Sequence, residues 1–121
     1  LIKPSIQEET ENLDRRRSIN GVSPNFVHSM DATALTLTIN RCIKSGIKDF
    51  SVVHDSYGVH AHFVPRMADS IRESFVEMYS ETDVLTNFYD EVIDVIPELE
   101  EPPERGDLDI MGVLDSEYFF S

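Results

Sequence analysis

The chain has 121 residues, of which 40% are hydrophobic and 27% charged, and its formal net charge is −13. This length suits one compact domain and excludes two of ordinary size, while the composition indicates a globular segment and excludes a disordered one. No apolar run approaches the roughly 20 residues that cross a bilayer. The single cysteine, Cys42, excludes an internal disulfide and favours a reducing compartment.

The charge is distributed unevenly along the chain. Residues 1–72 contain nine of the ten basic residues, whereas residues 73–117 contain only Arg105. The large negative charge argues against non-specific binding to nucleic acid, which needs clustered Lys and Arg to displace counterions. We therefore expect a nearly balanced N-terminal part and a solvated acidic C-terminal part.

The elements before residue 49 are predicted to be mainly helical. Residues 1–10 indicate an extended segment, and residues 11–19 indicate a short helix that ends before Asn20-Gly21. Ser23-Pro24 predicts the start of a second helix, since Ser can cap it and Pro suits its first position. Its apolar residues recur on more than one helical face, so we expect it to be largely buried, and Gly46 marks its end.

The next segment changes from helical to strand periodicity. Val52 and Val53 belong to a β-prone run, Asp55 to Gly58 has a type I turn pattern, and Val59 to Phe63 alternates apolar and polar residues. Together these features predict a β-hairpin. Asp55 would open the turn at the end of a rigid strand, and Gly58 would allow close backbone approach.

The rest of the chain predicts two amphipathic helices and an acidic tail. Pro65 and Asp83 mark the two helix starts, and Pro97 ends the second helix. The two apolar stripes are Val64, Met67, Ile71, Phe75 and Met78 in the first helix, and Leu85, Phe88, Tyr89, Val92, Ile93 and Ile96 in the second.

Asp55 is the candidate metal ligand. An Asp in a turn most often bonds its own backbone. A carboxylate at the end of stiff strands also suits Mg²⁺, which is held by one or two carboxylates together with phosphate oxygens. By contrast, His60 and His62 alternate on the predicted second strand without a Cys or a third His nearby, and this makes a poor zinc site.

Several blocks of the sequence resemble one family. VVHDSYG at 52–58 resembles motif C, the palm hairpin of single-subunit RNA polymerases of the phage and mitochondrial type. GVSPNFVHSMDATAL at 21–35 resembles the segment before motif C, and DVLTNFYDEV at 83–92 and the terminal YFFS agree with the family in order. The similarity covers residues 21–121, and Tyr57-Gly58 and the 83–92 block look more phage-like than mitochondrial.

The resemblance implies an α+β fold, in which helices pack around a palm-type β-hairpin in the C-terminal part of a right-hand polymerase. Residues 1–20 would be an extended or short helical segment that continues from upstream chain. Residues 21–97 would hold the palm-associated helix, the motif C hairpin and two following helices. Residues 98–107 would be an acidic Pro-rich linker, and residues 108–121 a C-terminal tail.

The resemblance also implies roles for three residues. Asp55 would be a catalytic aspartate that shares two Mg²⁺ ions with a second aspartate absent from this chain. His54 and His28 would contact nucleic acid, the first near the primer terminus and the second in the minor groove of the template–RNA duplex. A core histidine bonded to backbone is the alternative for His54. The aromatic terminus would pack back near the active site or act as a simple hydrophobic anchor.

The implied enzyme is a DNA-directed RNA polymerase that transcribes DNA into RNA. Its partners would be the DNA template, the RNA transcript, NTPs and the remainder of the polymerase chain, with no membrane and no oligomer. Having one of the two metal-holding carboxylates, the chain alone is expected to be inactive. We expect a phage-encoded protein in the cytoplasm of an infected bacterial host rather than in the mitochondrial matrix.

Two alternatives remain open from the sequence. The palm of a family A DNA polymerase also carries His-Asp on a hairpin, although Glu usually follows the pair where this chain has Ser56. A small acidic protein that mimics DNA and binds a basic protein surface would explain the charge of −13.

Overall fold

The computed structural model of the chain describes residues 12–81 and 83–119. Over these residues it forms three α-helices, one β-hairpin and two 3₁₀ turns. In chain order the elements are α1 Arg15–Lys44, β1 Ser51–Val53, β2 Ser56–Gly58, the 3₁₀ turn Ala61–Phe63, α2 Val64–Ser80, α3 Val84–Ile93 and the 3₁₀ turn Ile110–Val113. The α+β class is confirmed at this level. The predicted extended segment at 1–10 lies outside the described residues, as do the last two residues of the terminal YFFS.

The chain divides into two compact units, Leu1–Met30 and Asp31–Ser121. In the first unit, described from residue 12 onward, Asp14 caps the start of α1. Its side chain accepts a hydrogen bond from the Arg17 amide at 3.1 Å, and its carbonyl accepts one from the Ser18 amide at 2.9 Å. The helix therefore begins at an acidic cap before the basic run.

Helix α1 is continuous where the sequence predicted a break. We expected one helix to end before Asn20-Gly21 and another to begin at Ser23-Pro24, but α1 includes Pro24 in its interior. Proline has no N–H, so the Asn20 carbonyl loses its helical donor there. The prediction of a largely buried helix is also wrong, because Thr38 and Cys42 are the buried residues of the described α1.

The predicted end of α1 at Gly46 is confirmed. Gly46 has a φ of +93°, which a side chain would make unfavourable. Its amide bonds the Ile43 carbonyl at 3.0 Å, and the Ile47 amide bonds the Cys42 carbonyl at 3.0 Å. This pair of bonds is a Schellman motif, and the buried Ile47 and Cys42 supply its usual apolar contact.

The hairpin is real, but its turn differs from the predicted one. Strands β1 and β2 pair antiparallel with Val52 opposite Tyr57 and Val53 opposite Ser56, so His54 and Asp55 form a two-residue turn. The second strand therefore ends at Gly58 and does not extend over Val59 to Phe63. His60 and His62 do not alternate along a strand, since they lie after β2.

Helix α2 lies at the centre of the core of the second unit. It begins as predicted, with Pro65 in its first turn. Met67 and Ile71 of α2 form the buried cluster with Cys42 and Ile47. Five partly buried residues pack against this cluster: Phe50, Tyr57, Val59, Phe63 and Phe119.

Helix α3 begins at the predicted cap, because the Asp83 side chain accepts a hydrogen bond from the Thr86 amide at 3.1 Å. It ends at Ile93, earlier than the predicted end at Pro97. No residue of α3 is buried, and Leu85 and Phe88 remain 46% and 41% exposed. Within the part of the chain that the structure describes, no helix is long and apolar enough to span a bilayer.

Candidate functional site

Asp55 is exposed in the turn of the hairpin. The preceding His54 has a φ of +54°, while Asp55 does not have a positive φ. These are the φ signs of a type II′ turn, whose first central position normally carries glycine. A non-glycine residue in this region costs about 1–3 kcal/mol, and such residues cluster at functional sites.

Two contacts fix the hairpin that presents Asp55: a close approach of its two strands and a hydrogen bond to α1. A Cβ on Gly58 would lie 3.3 Å from the Ser51 carbonyl oxygen across the strand pair. The close approach predicted for Gly58 is therefore made within the hairpin itself. At the neighbouring pair, where Tyr57 lies opposite Val52, the Tyr57 side chain shares a hydrogen bond with the buried Thr38 of α1. This bond joins β2 to α1.

The surroundings of Tyr57 also report on the charges near the turn. Burial raises the pKa of the Tyr57 hydroxyl above its usual value, and the hydrogen bond with Thr38 opposes this. The negative charges of Asp31 and Asp55 raise the same pKa further. Both carboxylates thus act electrostatically on the same hydroxyl group.

A cavity of about 340 Å³ lies beside Asp55. Its lining includes Asp55, Ser56 and Tyr57 from the hairpin, Met67, Ile71 and Arg72 from α2, and Phe119 from the end of the chain. The wall is apolar except at the turn and at Arg72. One carboxylate and one guanidinium therefore face a space that is otherwise lined mainly by side chains of the core.

The C-terminal segment, defined as residues 110–119, reaches this cavity through Phe119. Arg72 donates two hydrogen bonds to the Ser116 carbonyl, from Nε at 3.0 Å and from Nη2 at 2.8 Å. The ring of Phe119 meets the ring of Phe75 edge to face, with centroids 4.9 Å apart. These two interactions join the segment to α2, which also contacts the 3₁₀ turn Ile110–Val113.

Of the predicted site residues, His54 and Asp55 are adjacent in the turn and both are exposed. His28 lies on α1 in the first unit, where it is exposed too. His60 and His62 are not part of a metal-binding cluster, because the described residues contain no group of three His, Cys, Asp or Glu side chains that could hold a metal ion. His60 lies 3.9 Å from Asp49, an exposed pair.

Sequence reasoning missed Arg72, which lines the cavity, and Thr38 and Asp31, which act on Tyr57. Arg72 was assigned no role, although it is the last basic residue before the acidic region. Thr38 and Asp31 were not connected with the hairpin. Thr38 stands three residues after Leu35 and four before Cys42, so it shares an apolar face of α1, where a polar side chain needs a hydrogen-bond partner.

A comparison with known proteins identifies the family of the chain. Residues 2–99 match the family described as DNA-dependent RNA polymerase. The chain belongs to this family, and its resemblance to the single-subunit, phage-type enzymes is confirmed. The family match disfavours both a DNA polymerase fragment and a DNA mimic.

Plant proteins are among the relatives. DNA-directed RNA polymerase 1A of Nicotiana tabacum is 41% identical over 128 positions, which cover all of this chain and 81% of the relative. DNA-directed RNA polymerase 1, mitochondrial, of Nicotiana sylvestris is 41% identical over all of this chain and 13% of its own length. DNA-directed RNA polymerase 2, chloroplastic/mitochondrial, of Arabidopsis thaliana is 41% identical over 97% of this chain and 12% of its own length. The chain therefore spans a small part of the longer relatives.

The predicted location in an infected bacterial host is wrong. The relatives above are plant proteins, and the names of two of them give mitochondria or chloroplasts as their location. The prediction relied on short blocks at Tyr57-Gly58 and 83–92. These short blocks identified the family, but they did not identify its branch.

Proposed function

We propose that this chain is a C-terminal part of the catalytic domain of an organellar, single-subunit RNA polymerase, and that Asp55 supplies one of its metal-binding carboxylates. The enzyme would transcribe a DNA template into RNA from NTPs, with the remainder of the polymerase chain as a further partner. The exposed Asp55 on the hairpin turn beside a cavity of about 340 Å³ carries the proposal. The hairpin would be the palm hairpin of motif C.

Asp55 fits one position of a magnesium site. Its carboxylate is exposed, it follows a paired strand, and Mg²⁺ prefers oxygen ligands of this kind. A second aspartate from elsewhere in the enzyme would complete the pair. When bound, two magnesium ions would lower the pKa of the RNA 3′-hydroxyl and stabilise the charge of the pyrophosphate leaving group.

The chain's own residues would keep this carboxylate in place. Tyr57 joins β2 to α1 through Thr38, and Gly58 allows the two strands to approach closely at their base. A fixed position matters because misplacing a reacting group by about 1 Å can reduce the rate about a hundredfold. The hairpin would thus act as a rigid support for Asp55.

His54 and His28 are proposed to contact nucleic acid. His54 adopts a backbone conformation that glycine would adopt at lower cost, which favours a function for its imidazole. His28 is exposed on α1 and would lie against the minor groove of the template–RNA duplex, where uncharged donors and acceptors suit a sequence-independent contact.

The exposed apolar surface supports a place in a larger protein. Leu85 and Phe88, three positions apart on one face of α3, are 46% and 41% exposed, and α3 buries none of its residues. Surfaces of this kind are usually covered by further protein. The domain division at 1–20, 21–97, 98–107 and 108–121 is retained as part of the proposal.

Replacing Asp55 in the full-length enzyme tests the proposal. Asp55→Asn keeps the shape of the side chain but removes its charge, so nucleotide addition should be abolished while promoter binding and the thermal midpoint are unchanged. Asp49→Asn is the matched control, because Asp49 is an exposed aspartate just before β1 that does not line the cavity beside Asp55. Wild-type elongation by Asp55→Asn would remove Asp55 from the catalytic role.

A further inference from the structure

One arginine connects the acidic end of the chain to the cavity beside Asp55. Arg72 lies on α2 and donates from Nε and Nη2 to the same backbone oxygen, that of Ser116, which is 44 residues further along the chain. A planar guanidinium that donates two hydrogen bonds fixes both the position and the direction of its acceptor. A lysine ammonium would fix the position alone.

What Arg72 holds is the C-terminal segment. This segment begins with the 3₁₀ turn Ile110–Val113, whose cap is the Asp109 side chain, which accepts from the Met111 amide at 2.9 Å. Beyond Ser116 it reaches Phe119, which packs on Phe75 and on the buried cluster of the core. The Ser116 carbonyl therefore lies between two anchored ends, and Arg72 bonds it there.

The bonded segment forms part of the cavity wall. Arg72 and Phe119 line the cavity together with Asp55 and Tyr57. Aromatic packing alone would hold the end of the segment only through the Phe119 ring. The neighbouring Asp115 and Glu117 carry charges that favour exposure of the segment to water. The two hydrogen bonds from Arg72 oppose that tendency because they bind the backbone between these residues.

We propose that Arg72 is a positioning residue for nucleotide addition. It holds the C-terminal segment against α2, so that Phe119 keeps its place in the cavity wall next to Asp55. This inference rests on the proposed catalytic role of Asp55. Arg72 itself acts through the segment and need not touch substrate.

The test uses Arg72→Gln in the full-length polymerase, with Arg66→Gln as its matched control. Arg66 lies on the same helix and also donates to a backbone carbonyl, that of Ser45, at 2.8 Å, but it does not line the cavity. Arg72→Gln should lower kcat for nucleotide addition about tenfold to a hundredfold. Arg66→Gln should leave kcat near the wild-type value.

Two further measurements separate positioning from general stability. Hydrogen exchange at the Leu114 and Ser116 amides, which bond Met111 and Val113 carbonyls, should become faster in Arg72→Gln and not in Arg66→Gln. Arg72→Lys keeps the charge and one of the two hydrogen bonds to the Ser116 carbonyl, so it should restore part of the lost kcat. It also provides a folded variant if Arg72→Gln is unstable.

Three results would overturn the inference. The first is faster exchange in the C-terminal segment with an unchanged kcat, and the second is an equal loss of kcat in Arg66→Gln. The third is unchanged exchange in both Arg72 variants. These results are distinct from a failure of the proposed function, because that failure would appear as wild-type elongation by Asp55→Asn, whereas the exchange measurement does not depend on catalysis.

Discussion

Helices α2 and α3 have similar amphipathic sequences but different surroundings. Helix α2 buries six of its residues, which are Met67, Ser70, Ile71, Ser74, Val76 and Met78, while α3 buries none. Helix α2 packs against both 3₁₀ turns, Ala61–Phe63 before it and Ile110–Val113 after it in the chain, and it contributes to the core. At the start of α3, the Asp83 side chain caps the helix and forms an ion pair with Arg105 at 3.1 Å. An apolar stripe thus identifies the face to be covered but not the element that covers it.

The largest expected effect is a difference in stability between alanine substitutions of one apolar residue in α2 and one in α3. Ile71→Ala should lower the free energy of unfolding of the 121-residue chain by about 2–5 kcal/mol, because Ile71 is 7% exposed and its loss leaves a cavity. Leu85→Ala should cost less than about 1 kcal/mol, since Leu85 is 46% exposed. Urea unfolding of both variants measures the difference.

The same pair of substitutions in the full-length enzyme sharpens the comparison. If further protein covers α3 there, the cost of Leu85→Ala should rise towards that of Ile71→Ala. Equal costs of the two substitutions in the 121-residue chain would contradict the described burial.

A smaller effect is expected at the ion pairs between α1 and α2. Arg41 donates from Nη1 to Glu73 at 2.9 Å and from Nη2 to Glu77. Burial by itself would lower the pKa of Arg41, but the hydrogen bonds and charges of Glu77 and Glu73 raise it above its usual value. Arg41→Met should cost about 1 kcal/mol at low salt, a modest figure because the Arg41 side chain is 34% exposed and screened by water.

A double-mutant cycle with Glu77→Gln checks the origin of this effect. If the pairing is responsible, Arg41→Met should cost less in the Glu77→Gln background, and added salt should reduce the cost further. An equal cost in both backgrounds would assign the effect to lost packing of the arginine stem.

The smallest effect is a pH dependence of α3. The hydrogen bond from the Thr86 amide lowers the pKa of Asp83 below its usual value of 3.8, and the charge of Arg105 lowers it further. A folded pKa below the unfolded one means that the cap stabilises α3 fully above about pH 4 and that this contribution is lost as the pH falls through the folded pKa. The Thr86 amide resonance should therefore titrate with a midpoint below 3.8.

Asp83→Asn is the control for that titration. Asparagine also caps helices well, so α3 should persist, but its Thr86 amide should no longer titrate. A midpoint at or above the usual aspartate value in the wild-type chain would contradict the described cap.

Features that depend on near neighbours in sequence were predictable. The helix end at Gly46, the start at Pro65 and the cap at Asp83 each involve atoms within a few residues, and all three are confirmed. The turn was placed wrongly because Asp55 to Gly58 has a type I pattern, whereas the pairing of Val52 with Tyr57 puts the turn at His54-Asp55. Cross-strand pairing overrode the local turn preference.

Features that depend on distant residues were not predictable. The bond from Arg72 to Ser116 joins positions 44 residues apart, and the bond of Tyr57 with Thr38 joins a strand to a helix. No local pattern encodes such contacts. The family blocks pointed to Asp55, His54 and His28, and the roles of these residues stay predictions. The cavity beside Asp55 could be found only in the structure.

The hydrogen-bonded end of α1 has a consequence for insertions and deletions. Four residues, 47–50, connect Gly46 to the first residue of β1, and four extended residues reach at most about 14 Å. Ile47 is fully buried at the near end and strand pairing fixes Ser51 at the far end, so both ends of the connection are anchored. A one-residue change of length within 47–50 would therefore rotate or shift the whole strand pair, so we expect this stretch to tolerate changes of side chain far better than changes of length.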